Sequence, residues 1–87
     1  MNIIGYNLEK TCDACPEQYD VFLDGEQAGY LRLRHGVFSV KFPDCGGIML
    51  WQTDRPSGDG IFDENEREYF LETAVKLIDN HIEEMYK

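Results

Sequence analysis

The segment YDVFLDGEQAGYLRLRHGVFSVKF, Tyr19 to Phe42, decides the fold. Arg34-His35-Gly36-Val37 has the chemistry of a two-residue hairpin turn, with Gly36 supplying the positive φ that such turns demand. That turn sets Arg34 opposite Val37, Leu33 opposite Phe38, Leu31 opposite Val40 and Gly29 opposite Phe42. Opposed residues of an antiparallel pair share a face, so Leu31, Leu33, Phe38, Val40 and Phe42 form one apolar surface. The preceding strand must show Tyr19, Val21 and Leu23 to that surface. A strict two-residue turn at Asp24-Gly25 would place Val21 opposite Ala28 and Leu31 on the wrong side, because a one-residue slip exchanges the faces. The expectation is an irregular first turn, with a three-residue loop or a bulge near Asp24-Gly25-Glu26, and a tight second turn.

Outward from these hairpins, Ile3, Ile4, Tyr6 and Leu8 suggest a short first strand, and residues 9–17 read as a polar loop. Pro43-Asp44-Cys45-Gly46-Gly47 is turn chemistry. Ile48 to Gln52 is short and nearly all apolar, as expected of a strand covered on both faces. A Gly/Pro loop, Asp54 to Gly60, leads to a long helix. Asp63 and Glu66 make a variant capping box, with Glu64 adding charge that the helix dipole favours. Phe70, Ala74, Leu77, Ile78, Ile82 and Met85 recur at helical spacing, flanked by Leu71 and Val75. From Glu64 to Tyr86 such a helix runs about 34 Å, against about 20 Å for a six-residue strand. Its end should overhang, leaving Ile82, Met85 and Tyr86 to find another partner. The expected fold is α+β: one domain over residues 1–87, a four- to five-stranded antiparallel meander with one long C-terminal helix on one face.

The 87 residues carry a formal charge of −9, with 43% hydrophobic and 13% aromatic residues. That composition belongs to a folded globular domain. The charge opposes general affinity for nucleic acid or anionic membranes, whose phosphates would repel it. No apolar run approaches membrane-spanning length, and Met1 to Gly5 lacks a basic region followed by an apolar stretch. With three cysteines, an odd number, the expected compartment is the reducing cytoplasm.

Arg55-Pro56-Ser57-Gly58-Asp59-Gly60 spells R-x-x-G-x-G between an apolar strand and a helix. Glycines there let backbone approach a ligand, and a helix N-terminus offers N–H groups to phosphate. A strand meander, this loop and a helix resemble the acyl-CoA-binding half of the GNAT acetyltransferase superfamily, in which an (R/Q)-x-x-G-x-(G/A) loop holds the cofactor pyrophosphate. The resemblance implies acetyl-CoA as ligand and Arg55, Ser57, Gly58, Asp59 and Gly60 as its contacts. In this chain Asp59, Asp63, Glu64 and Glu66 surround the loop with charge that repels a pyrophosphate.

Cys12-x-x-Cys15 with Cys45 supplies three thiolates of a tetrahedral zinc site, leaving His35 or His81 as the remaining ligand. The other reading of the same cysteines is free thiols. His81, flanked by Ile78 and Ile82, reads as a histidine at the edge of the core.

In the register above, the sheet face opposite the core carries Tyr30, Arg32, Arg34 and Lys41, so that three of the eight basic residues share one small surface. Tyr and Arg are enriched at interfaces; the plainer alternative pairs Asp20 and Asp24 with Arg32 and Arg34. No nucleophile–base arrangement emerges. The expectation is a non-catalytic interaction domain without a cofactor, taking a protein partner or a second copy of itself as a weak homodimer. The alternatives are an acetyl-CoA-binding protein or minimal N-acetyltransferase and, third, a zinc-stabilised module.

Overall fold

A computed structural model describes residues 1–12 and 16–86. Six strands, β1 (Asn2–Ile3), β2 (Tyr6–Lys10), β3 (Glu17–Leu23), β4 (Glu26–Arg34), β5 (Val37–Phe42) and β6 (Ile48–Thr53), precede one helix, α1 (Glu64–Met85). They form one antiparallel sheet in sequence order, β1-β2-β3-β4-β5-β6.

The β4–β5 hairpin has the expected register, pairing Leu31 with Val40, Leu33 with Phe38 and Arg34 with Val37. His35 and Gly36 both hold positive φ, 54° and 75°, as a type I′ turn requires. The β3–β4 hairpin solves its register problem differently from expectation. Its turn at Asp24-Gly25 is tight, with Leu23 opposite Glu26. The slip is absorbed inside β4, where Val21 pairs with Gly29 and Phe22 with Gln27. Ala28 is thus the extra residue, and Val21 stays on the core face, fully buried.

The described residues form six strands, not four or five. The expected first strand is broken at Ile4-Gly5, which take φ of 44° and 91° and fold the chain back into a β1–β2 hairpin pairing Ile3 with Tyr6. The helix starts at Glu64 as expected and spans 22 residues, ending at Met85 with Tyr86 as its C-cap. Phe70, Leu71, Ala74, Val75 and Ile78 are its buried positions, while Leu77 and Ile82 are half-buried. Met85 and Tyr86 are exposed, but Ile82 packs against the core edge, so the apolar overhang is shorter than its stripe suggested.

The core lies between α1 and one sheet face. Phe38 sits at its aromatic centre, with ring centroids 5.1 Å from Phe62, 5.8 Å from Trp51 and 5.9 Å from Phe70. Edge-on and offset packing of this kind adds to the gain from burial alone. Strand β6 departs from the expectation of cover on both faces. It is the outer strand of the sheet, and Ile48 and Met49 are 55% and 45% exposed. No described helix is long and apolar enough to cross a membrane.

Candidate functional site

The helix leaves the other sheet face uncovered. Strand alternation sends Tyr30, Arg32 and Arg34 of β4 to this side, opposite Lys41, Ser39 and Val37 of β5. Met49 and Gln52 of β6 come next, paired with Lys41 and Ser39. All of these except Tyr30 line a shallow groove of about 410 Å³ that reaches the β6 edge. The face holds the four residues that sequence placed there, but their charges are not equally engaged. Tyr30 Oη donates to Gln18 Oε1 at 3.1 Å, and Lys41 Nζ donates to the Cys45 carbonyl at 3.3 Å. Among the described residues, neither the Arg32 nor the Arg34 guanidinium has a hydrogen-bond or ion-pair partner. The anticipated ion pairs do not form. Asp20 lies opposite Tyr30 and accepts from Gln27 Nε2 at 3.2 Å, and Asp24 occupies the turn at the far end of β3.

A second candidate is a cleft of about 670 Å³ between the β4–β5 turn and the loop before α1, walled in part by Ser57, Gly58, Asp59 and Gly60. Arg55 is exposed and lies outside that wall. The loop already has an anion. Glu66 accepts the amides of Ser57, Gly58 and Asp63 at 2.8, 2.9 and 3.0 Å. Burial works to raise its pKa, but these three N–H bonds outweigh it and hold the carboxyl below its ordinary value. Gly58 has a structural reason to be glycine, since a Cβ there would collide with the Ile61 carbonyl. The loop is further tied by Glu17 N donating to the Gly60 carbonyl at 2.7 Å.

One cluster escaped the sequence reading. Glu17 is fully buried on the core face of β3, and both of its oxygens are saturated. Oε2 accepts Arg67 Nε at 2.8 Å and the Tyr19 hydroxyl; Oε1 accepts the Phe62 amide at 2.9 Å and Arg67 Nη2 at 3.2 Å. Burial would raise this carboxyl, but the bonds from Arg67, Tyr19 and Phe62 prevail and its pKa is lowered. The Tyr19 hydroxyl is pushed up, by burial first and then by its bond to Glu17. The signal lay in the alternation itself, for Glu17 extends the inward series of Tyr19 and Val21 by one more step. With every lone pair engaged, Glu17 clamps β3, the loop and the start of α1 together, and offers no free base.

Cys12 and Cys45 are not brought together. Cys12 lies just after β2, at the end of the sheet near the β4–β5 turn, whereas Cys45 lies in the β5–β6 loop at the other end. Cys15 lies outside the described residues. His35 tips the β4–β5 turn, and His81 packs on Phe42 with ring centroids 4.7 Å apart. Among the described residues, no group of three or more His, Cys, Asp or Glu side chains is placed to hold a metal ion. No protein-family model, no curated protein and no solved structure matches this chain.

Proposed function

We propose that this chain is a non-catalytic interaction domain that takes a protein partner on the helix-free face of its sheet. One observation carries the reading. Two guanidinium groups, Arg32 and Arg34, stand side by side beside apolar Val37 and Met49 with no acidic partner among the described residues. In a chain of net charge −9, an intramolecular carboxylate is the readiest neutraliser, yet this face has none in contact among the described residues. A surface left so is complementary to an acidic segment of a partner, whose charges would be repelled by the rest of the molecule and steered to this face. Arginine beside apolar side chains is also the composition of energetically dominant interface positions.

The alternative ligand, acetyl-CoA at the cleft, would require a phosphate to displace Glu66 from the Ser57 and Gly58 amides. One titration separates the two. A synthetic peptide alternating glutamate and tyrosine is added to isotope-labelled protein, with its lysine counterpart and acetyl-CoA as parallel arms. The proposal expects saturable amide shifts at Arg32, Ser39, Lys41 and Gln52 with the acidic peptide alone, weakening as salt screens the charges. Saturable shifts confined to Ser57–Gly60 with acetyl-CoA would replace it by the cofactor reading. Silence at Arg32 and Ser39 with the acidic peptide would count directly against it.

A further inference from the structure

We infer that β6 is a self-pairing edge, through which two copies of this chain join antiparallel about a two-fold axis. The inference does not rest on the open-face reading, because it uses the strand edge rather than Arg32 and Arg34. The sheet has two outer strands, and β1 is only two residues long, so β6 with six is the substantial one. Exposed edges are usually blunted by charge or proline. Ile48-Met49-Leu50-Trp51-Gln52-Thr53 has neither, although the chain as a whole is crowded with acids. None of these six residues makes a described backbone hydrogen bond outside the sheet.

The facing pattern of β6 selects the occupant. Ile48, Trp51 and Thr53 pair with Phe42, Val40 and Phe38, so they lie on the helix side. Met49 and Gln52 pair with Lys41 and Ser39 on the open side. Leu50 is the extra residue of a bulge and packs against the core beside Trp51. Read along the strand, the faces run helix, open, helix, helix, open, helix, which is the same in either direction. A straight strand with strict alternation matches such an edge only by leaving one of the edge's residues unpaired, as β5 does at Leu50. A second β6 running antiparallel matches at every position. Ile48 then lies opposite the partner subunit's Thr53, Met49 opposite the partner subunit's Gln52, and Leu50 opposite the partner subunit's Trp51. A slip by one residue would set open-side against helix-side residues.

The pairing merges the two sheets into one, keeps both helices on the same side and joins the two open faces across Met49 and Gln52. It is a weak contact. A strand of this length offers an edge about 20 Å long and about 10 Å thick, well short of the ~800 Å² per partner of a standard interface. Like charges also oppose it, so added salt favours it.

Sedimentation of the full chain from micromolar to millimolar concentration, at low and high salt, tests the inference. The expected result is a monomer–dimer equilibrium in the high micromolar range that tightens with salt. Met49→Lys, at an exposed position, should abolish the dimer while leaving the thermal midpoint unchanged. Adding Gln52→Glu to Met49→Lys should restore it, because the antiparallel register sets each new lysine against the partner's new glutamate. A monomer under every condition overturns the inference. So does a dimer that survives Met49→Lys and is lost in Met85→Glu, which would place the contact at the helix end. A dimer lost in Met49→Lys and not regained in the double variant overturns the register.

Discussion

On the helix side of the sheet, Glu17 has every oxygen engaged; on the opposite side, Arg32 and Arg34 engage nothing among the described residues. These groups are close neighbours in the fold, since Glu17 pairs with Leu33 and Gln18 with Arg32. Only strand alternation separates them. A carboxylate turned inward loses its water and must be compensated by direct bonds, which Arg67, Tyr19 and Phe62 provide. A guanidinium turned outward keeps its water and needs no such partner. The difference teaches which charges hold the fold and which are spare for binding. Charge on the helix side should be costly to remove for stability, and charge on the open side should be costly only for association.

The largest effect expected from this contrast is at Glu17. Glu17→Gln removes the buried member of an ion pair and leaves Arg67 with only the exposed Glu64 as counter-charge, at a cost of about 3 kcal/mol. Set against the ~5–15 kcal/mol that holds a typical domain together, this is a severe loss, read as a large fall in urea midpoint. The same groups set the pH dependence. Glu17 and Glu66 have folded pKa values below the ordinary 4.5, so their stabilisation is fully present above that pH. It is lost as the pH falls through the lower folded values. Tyr6 and Tyr19 are raised above their ordinary 10.0, mainly by burial, so their contribution is present below pH 10 and lost as the pH rises beyond it. Stability measured against pH should therefore be flat from about pH 5 to 9 and fall on both sides. In Glu17→Gln the acid limb should be shallower. An unchanged acid limb would mean that Glu17 is not held as described.

A smaller effect is expected at Gly58. Its absent Cβ makes room for the Ile61 carbonyl, so Gly58→Ala forces the loop open locally, at about 1–3 kcal/mol. Amide shifts should spread over Ser57 to Phe62 as the bonds to Glu66 loosen. An alanine accepted without loss would reopen the idea that this glycine serves a ligand rather than the loop's own packing.

The β4–β5 register was legible in the sequence because a two-residue turn with His35-Gly36 at its tip leaves only one way to pair the two strands. The β3–β4 register was legible only as a mismatch needing correction. Where the correction falls depends on tertiary packing, and Ala28 is small enough to be the extra residue on a buried face. The β1–β2 turn was hidden because Ile4, a β-branched residue, is a poor advertisement for positive φ. The outer face of the sheet could be read directly from alternation. Its spare charge could not, because an acidic chain offers many possible partners and only the three-dimensional arrangement shows that none of the described ones reaches Arg32 or Arg34. The capping box at Asp63 and Glu66 was visible as a local pattern. The further reach of Glu66 to amides eight and nine residues earlier was not, since it depends on how the loop folds back over the helix start.

The central claim is that the open-face guanidinium groups serve a partner and not the fold. It is tested most directly by one sample, the double variant Arg32→Glu with Arg34→Glu, measured for both thermal midpoint and binding of the acidic peptide. The account predicts a midpoint indistinguishable from that of the unaltered chain and complete loss of saturable shifts at Ser39 and Lys41. A midpoint lowered by several degrees, with peptide binding retained, would contradict it.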